Sequence, residues 1–522
     1  MASDDGETID GGPVGRPSPP GVAWRAHGFT GAATDLVDAG TLPRAWAARW
    51  AAAPRTPVLA GPDGRWMTAG ELDERTAAVA ARYAAAGLTP GDRILMSAGA
   101  SVDLAVAHVA ALRLGLVVVP VNTGFAAEEV GNVAAAARPA LAVLDDPSRL
   151  PGVPSTGADV ARPGGPVPVL DAAAPGDTGL LVFTSGTTGA PKGVPLSHAN
   201  LLASSAAVEV AWRWTADDRL VLALPLFHVH GLGVGLHGTL LAGASAVILP
   251  RFDVDAVLDA VAATGASLMF GVPTMWVRFA ASPRVGDLAA LRLCVSGSAP
   301  LDPATFAALA EGIGSPVLER YGMTETGMLV SNPYDGERRA GSVGLALPGV
   351  EVRLDPRGGG GEPAGEIMVR GPNVFTGYLG GAAGSGDGVA PAGSDAFARE
   401  GWFRTGDLGR ADPDGYLRIV GRSNELIITG GYNVYPRDVE EVLGRHPGVA
   451  EVAVVGRPDP EWGERVLACV VAAGPAGPGD ARAILAWAAD HLAPYQRPRE
   501  LRFVDGLPRN ALGKVVRSRL AH

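Results

Sequence analysis

Lys192 sits inside TSGTTGAPKG, residues 184 to 193, a stretch otherwise dominated by glycine and hydroxyl-bearing residues. Of the 43 Lys and Arg residues in the chain, only one other is a lysine, Lys514. Three glycines let such a backbone curl so that successive N–H groups point inward. Ser185, Thr187 and Thr188 add hydroxyl donors and Lys192 adds a full positive charge. That combination suits the outer phosphates of a nucleotide, although the spacing is neither GxxxxGK[ST] nor GxGxxG. A polar turn with a solvated lysine is the competing reading of the loop taken alone. The scarcity of lysine favours the phosphate reading. Where arginine occupies nearly every basic position, a surviving lysine marks a place that needs a slim ammonium group rather than a broad guanidinium.

The elements around the loop must present it. Thr68 and Glu71 have capping-box spacing before an Ala-rich helix that ends near Gly87, and RILMS (93 to 97) reads as a strand. A helix over about 102 to 114 precedes the strand-like LVVVPV (116 to 121). LLVFT (180 to 184), AVILP (246 to 250) and LRLCVS (291 to 296) are further short, continuously apolar strands. The alternation predicts an α/β fold: a large N-terminal domain of mostly parallel sheets covered by helices on both faces. Loops after strand ends are the expected ligand positions, and TSGTTGAPKG follows LLVFT directly.

Residues 1 to 40, rich in Gly, Pro and Asp, are expected to form a loosely ordered tail, and the large domain to occupy 41 to 421. Within it, about 350 to 421 reads as a β-rich subdomain, with a flexible Gly/Ser/Ala-rich loop at 379 to 394. A hinge is placed at 422 to 426 and a small α+β domain at 427 to 522, with helices over 436 to 445 and 480 to 492 and strands over 450 to 455, 465 to 472 and 500 to 504.

At 522 residues the chain exceeds the ~250 to 300 at which single cores stop growing, so several domains are expected. Apolar residues at 47% and charged residues at 19% fit a folded globule. A formal charge of -11 gives no overall attraction to phosphate backbones and argues against nucleic-acid binding. Cys294 and Cys469 cannot form a disulfide framework or a zinc site, which fits a reducing cytoplasm, and the acidic start MASDDGETIDGG is unlike a signal peptide. Val221 to Pro250 carries no Asp, Glu, Lys or Arg, yet its Pro225, His228, His230, His237 and glycines suit a buried strand, loop and helix better than a membrane span.

Together with the loop, six motifs in order resemble the adenylate-forming superfamily of acyl-CoA synthetases, luciferases and peptide-synthetase adenylation domains. They are SGSAP (296 to 300), ERYGMTET (319 to 326), GWFRTGDLG (401 to 409), GYLRIVGR (415 to 422), GGYNVYPRDVE (430 to 440) and LPRNALGKV (507 to 515). The likeness runs from about residue 45 to 520. It implies that ATP and a carboxylic acid form an acyl-adenylate with loss of pyrophosphate, and that coenzyme A then captures the acyl group as a thioester. Because two anions must meet, positive charge and positioning are the chemical needs. The resemblance gives Lys514 the catalytic role between acid and α-phosphate, where position alone would suggest an exposed carboxy-terminal lysine. Lys192 joins it, with Thr184, Ser185, Gly186, Thr187, Thr188 and Gly189 on the phosphates. Glu325 becomes the Mg2+-associated glutamate, though in isolation a surface or helix-cap residue is the plainer reading. Ser298, Ala299, Pro300 and Tyr321 would flank adenine, with Glu319, Gly322, Met323 and Thr324 in the same nucleotide site. Asp407 would accept the ribose hydroxyls beside Arg422. Family members rotate the small domain between half-reactions. Asn424 occupies the hinge position, where Asp or Lys is usual, while Gly430, Gly431 and Tyr432 would line the pantetheine route.

For the acid, PLFHVHG (225 to 231), FGVPTMW (270 to 276) and SNPYDGERRAGSVG (331 to 344), together with ERYGMTET, resemble malonyl-CoA synthetases. A second carboxylate in an acyl pocket requires a cation, preferably a bidentate one. Arg320 is placed to supply it, and His230 could assist. The competing readings pair Arg320 with Glu319 or another nearby acid, and make His228 or His230 a gate or packed wall. Malonate or methylmalonate is therefore the expected acid; fatty or aryl acids, and a catalytically silent nucleotide-binding homologue, are the alternatives. With no carrier domain after residue 522, a peptide-synthetase module is not expected.

Overall fold

The computed structural model of the chain describes residues 16–159, 165–184, 192–356, 364–379, 396–475, 478–509 and 515–521. They form two compact units. One comprises Pro19–Glu351 with Val369–Phe403, and the other Val352–Met368 with the chain from Arg404 onward and the residues up to Ser18.

The larger unit holds two sheets. In the first, nine strands lie in the order Leu345–Ala346, Gly327–Ser331, Leu318–Met323, Leu293–Ser296, Leu268–Gly271, Arg219–Leu222, Ser245–Ile248, Pro57–Ala60 and Trp66–Thr68. Its interior pairs are parallel and only the edges run antiparallel. The second orders six strands as Ser155–Thr156, Leu141–Leu144, Arg93–Ser97, Val117–Pro120, Thr178–Thr184 and Lys192–Ser197, parallel except at the last pair. Every residue of Val117–Pro120, Leu141–Leu144, Leu268–Gly271 and Leu293–Ser296 is buried. Continuous apolar runs of this kind belong to strands covered on both faces, so the α/β fold read from the sequence is the fold observed. The helix Ala69–Ala85 begins with the expected reciprocal cap: Thr68 Oγ1 accepts from Glu71 N at 3.3 Å and Glu71 Oε2 from Thr68 N at 2.8 Å.

In the second unit, Glu351–Pro356, Gly365–Arg370, Phe403–Ala411 and Leu417–Arg422 form a four-stranded sheet in that order. A five-stranded sheet follows, in which Val449–Asp459 and Gly463–Ala472 pair antiparallel and Glu500–Phe503 runs parallel to the latter. The helices Pro436–Leu443 and Pro478–His491 pack with it.

One expectation about the amino terminus changes. The loose tail does not extend to residue 40: Pro20–Ala26 is a helix with Ala23 fully buried, Trp24 Nε1 donates to Val350 O at 2.9 Å, and Ala33–Val37 is a 3-10 turn with Leu36 buried. Proline at the start of a helix costs nothing there, so a Pro-rich composition misleads as a sign of disorder. The hinge expected at 422 to 426 lies within the second unit, whose bounds against the first fall at 351/352, 368/369 and 403/404. The β-rich segment thus groups with the carboxy-terminal residues. Residues 1–15 of the tail, and the surface-loop residues 380–394, lie outside the described residues.

The uncharged stretch 221 to 250 folds inside the larger unit, and among the described residues no helix is long and apolar enough to cross a membrane. After the strand Arg219–Leu222 comes a π-helical segment, His230–His237, then the short helix Gly238–Ala242 and the strand Ser245–Ile248. The wide turn is visible in Val234 N bonding Val229 O, five residues back, at 3.0 Å. At its far end His237 Nε2 lies 2.8 Å from His108 Nε2, both rings buried.

The hairpin formed by Leu318–Met323 and Gly327–Ser331 carries the ERYGMTET motif, and Asn332 clamps it. Asn332 is 1% exposed; its Nδ2 donates to Glu319 O at 3.0 Å and Ser342 O at 2.7 Å, while Oδ1 accepts from Arg339 N at 3.2 Å. Beside it, the buried Trp212 Nε1 donates to Ser331 Oγ at 2.9 Å. Replacing Asn332 by Ala removes the three hydrogen bonds of a buried side chain, while Glu319 O keeps the backbone N–H of residue 332, and costs about 2 kcal/mol in total. We expect urea denaturation of Asn332→Ala to show a loss of that size; a change below about 0.5 kcal/mol, the range of ordinary surface substitutions, would show the clamp to be dispensable.

Candidate active site

Arg320 is the third of six residues in the strand Leu318–Met323 and directly follows the last one paired in parallel with Leu293–Ser296, close to where open α/β sheets place ligands. It is 4% exposed, and its Nε and Nη2 have no hydrogen-bond partner among the described residues. Gly297, in the loop after the neighbouring strand, lies against the guanidinium so closely that a Cβ there would collide with it. The acid next in sequence does not pair with Arg320. Adjacent strand residues point to opposite faces, and the Glu319 carboxylate accepts from Leu301 N at 3.2 Å and Gly341 N at 3.0 Å. Burial without a counter-charge pushes the Arg320 pKa down to about 9.

The π-helical segment brings His230 to the same place. It is 2% exposed, with Nδ1 3.4 Å from Ser298 Oγ and Nε2 unpartnered among the described residues. Burial first, and then the charge of Arg320, lower its pKa well below the ordinary value, so the imidazole is neutral. His228, half-buried, accepts the backbone N–H of His230 on Nδ1 at 3.2 Å. Ser298 has a left-handed backbone, φ 72°, in the same loop as Ala299 and the exposed Pro300.

Glu325 sits in the turn of the same hairpin, 7% exposed, and accepts the Tyr378 hydroxyl on Oε1 at 3.0 Å. Tyr321 is buried, while Gly322, Met323 and Thr324 are half-buried. Lys192 is exposed; its Nζ stands 5.4 Å from the centre of the Tyr378 ring, and its backbone pairs with Thr184 across the two strands that flank the loop. Ser185, Gly186, Thr187, Thr188 and Gly189 lie outside the described residues, as does Lys514. Tyr378 and Asn373 did not stand out in the sequence, and Gly297 did so only as part of SGSAP; GPNVFTGY (371 to 378) has only the glycine-and-proline texture of a turn. Asn373 Nδ2 donates to Thr326 O at 2.8 Å and Met328 O at 3.0 Å, stitching that segment to the Glu325 hairpin.

In the second unit, Asp407 and Arg422 face each other on paired strands, with Arg422 Nε 2.7 Å from Asp407 Oδ1. Asp407 is 4% exposed and its N–H donates to Thr405 Oγ1 at 3.1 Å. Asn424 is exposed in the following turn. Gly430 and Gly431, both with positive φ, turn the hairpin between Ile427–Thr429 and Tyr432–Val434, and Tyr432 stacks on Tyr495 with ring centres 4.8 Å apart.

The larger unit therefore combines a buried cation, without a carboxylate partner among the described residues, beside a neutral imidazole, and an ammonium and a carboxylate joined through one phenol. The first can hold an anionic substrate group. The second offers a cation for phosphate and a hard oxygen for a metal ion.

The sequence model of the family described as AMP-binding enzyme matches residues 46–379, and that of the AMP-binding enzyme C-terminal domain matches residues 438–514. A feruloyl-CoA synthase from Amycolatopsis sp is 37% identical over 472 residues, covering 87% of this chain and 93% of the relative. The crystal structure of ATP-bound MatB from Rhodopseudomonas palustris superposes with a TM-score of 0.83 at 36% identity, covering 92% of this chain and 98% of that one. A malonyl-CoA ligase ternary product complex with methylmalonyl-CoA and AMP bound gives a TM-score of 0.63 at 42% identity over 87% of this chain and 97% of its own. The chain belongs to the AMP-binding enzyme family, and is an AMP-forming acid–CoA ligase.

Proposed function

We propose that the acid is malonate or methylmalonate. The observation that carries this reading is Arg320: a guanidinium 4% exposed, with two donor nitrogens unpartnered among the described residues. Removing a charge from water costs several kcal/mol unless an opposite charge meets it, and a second carboxylate in the acid meets it with paired hydrogen bonds. His230 lends a neutral imidazole to the same anion, because its charged form is disfavoured there. The malonyl-CoA ligase relative supports this choice, and the feruloyl-CoA synthase relative is the reason to test aryl acids beside it.

In the proposed reaction the other carboxylate of the acid attacks the α-phosphorus of ATP, forming the O–P bond as the bond to the pyrophosphate oxygen breaks. The sulfur of coenzyme A then attacks the acyl carbon, its proton is lost, and AMP leaves. Lys192, with the hydroxyls and amides of residues 184 to 189, holds the outer phosphates against their mutual repulsion with the incoming carboxylate. Lys514 supplies the charge between acid and α-phosphate in the first step. Asp407 and Arg422 hold the ribose. Turning about Asn424 exchanges Lys514 for the pantetheine route lined by Gly430, Gly431 and Tyr432. Glu325 suits Mg2+: it is a hard oxygen donor, and the described residues contain no cluster of three or more His, Cys, Asp or Glu that would cage a metal without phosphate. When bound, that ion neutralises phosphate charge.

Pyrophosphate release with malonate, methylmalonate, acetate, octanoate, benzoate and ferulate, with and without coenzyme A, tests the reading directly. We expect malonate or methylmalonate to give the highest kcat/KM; preference for ferulate or octanoate would replace the dicarboxylate by an aryl or fatty acid, and no acid-dependent release would mark a silent homologue. Arg320→Ala should cut kcat/KM for malonate about 100-fold, the worth of a lost charge-assisted pair, and leave acetate within a few-fold. An equal decrease for both acids contradicts the assignment.

The pH dependence has a definite sign. Arg320 carries its charge below its lowered pKa of about 9, so the malonate site is cationic there and loses its charge as pH rises through that value. We expect kcat/KM for malonate, relative to that for acetate, to fall above about pH 9; a ratio constant through the alkaline range would contradict the role of this guanidinium.

A further inference from the structure

We propose that Tyr378 is a positioning residue of the nucleotide site, holding Lys192 and Glu325 in place while keeping their opposite charges apart. The inference rests on the reading of Lys192 as a phosphate ligand and Glu325 as a metal ligand, and extends it to a residue to which no role has yet been given.

The phenol contacts both groups in different ways. Its hydroxyl donates to Glu325 Oε1 at 3.0 Å, while the Lys192 ammonium stands over its ring, 5.4 Å from the centre. A carboxylate has about four lone-pair positions, so one donated hydrogen bond fixes its orientation and leaves others for a cation. A ring face attracts an ammonium without neutralising it. Among the described residues Lys192 makes no ion pair. Were Lys192 and Glu325 to meet directly, each would cancel the charge that the other needs for its ligand. The aromatic spacer prevents that collapse.

The placement of Tyr378 is held from both sides. Phe375 N donates to Glu325 O at 2.9 Å, and the Phe375 and Tyr378 rings pack edge to face, 4.9 Å apart. On the other side Leu379 N donates to Gly193 O at 2.8 Å, next to Lys192. Asn200 Nδ2 fixes the start of the segment by donating to Pro372 O at 2.8 Å and Val374 O at 3.0 Å. Residues 371 to 379 thus form a strap between the strand that begins with Lys192 and the turn that carries Glu325.

The test is equilibrium binding of ATP to the full chain by calorimetry, once in EDTA and once with saturating MgCl2, for wild type, Tyr378→Phe and Tyr378→Leu, with thermal unfolding followed alongside. Tyr378→Phe keeps the ring under Lys192 and removes only the donor to Glu325. We expect it to bind metal-free ATP within about twofold of wild type and to lose about tenfold of the affinity that Mg2+ adds, the size of one charge-assisted hydrogen bond. Tyr378→Leu should lose affinity in EDTA as well, because Lys192 then loses its support. Wild-type behaviour of Tyr378→Phe in both buffers overturns the proposal, as does an equal loss by both variants in both buffers, which is the mark of a merely structural ring. If Tyr378→Leu proves unfolded, the Phe variant decides alone. A wild-type protein whose ATP affinity does not respond to Mg2+ overturns the metal reading of Glu325 and this inference with it; a response that survives in Tyr378→Phe overturns the inference only.

Discussion

A guanidinium taken out of water with no carboxylate to meet it is the constraint around which the larger unit is arranged. Such a charge costs several kcal/mol, and a fold retains it only if the surroundings cannot relax to hydrate or neutralise it. The surroundings here are stiff. Gly297 closes over one face of Arg320, Glu319 is turned to the opposite side by strand alternation, and the hairpin is held by Asn332 and by the Trp212–Ser331 hydrogen bond. Arg320 and Glu325, proposed for the acid and for the metal ion, belong to one hairpin and so share a frame.

Several other buried or half-buried arginines meet carboxylates. Arg113 is bound by Asp73 and Asp171 at 2.7 and 2.9 Å, Arg292 by Asp218 at 2.6 Å, and Arg517 by Glu440 at 2.9 Å. These pairs bind distant pieces of chain together. In the candidate site the pattern reverses, and neutral groups stand where partners would otherwise be: an imidazole and a glycine beside Arg320, a phenol between Lys192 and Glu325. At these two places opposite charges are kept from acting on one another, whereas Asp407 and Arg422 pair directly at 2.7 Å.

Much of the architecture could be read from local signals. The capping box at Thr68, the continuously apolar strands and the helix Val102–Leu114 each depend on residues close in sequence, and each is found where the pattern puts it. The residues proposed for the acid and phosphate sites were also legible as motifs. What stays hidden is long-range. That Glu319 spends its carboxylate on Leu301 and Gly341 requires knowing which loop covers that face. Tyr378 joins Glu325 and Lys192 only after two strands from different sheets have been placed. The helix at Pro20–Ala26 escapes a compositional reading because its stability comes from Ala23 and Trp24 packing on residues hundreds of positions away. The loop residues 185 to 189 and Lys514 are legible as motif but lie outside the described structure.

The wide coil at His230–His237 has a geometric consequence. It points one imidazole at Arg320 and, seven residues on, another at His108, deep in the unit. An ordinary α-helix turns about 100° per residue, more than the wider π coil does, so the two rings keep these bearings only while the extra residue is accommodated. Excising any one position between Gly231 and Leu236 would let the coil tighten, swing one ring by roughly that angle, and force a choice between lining the acid pocket and anchoring in the interior.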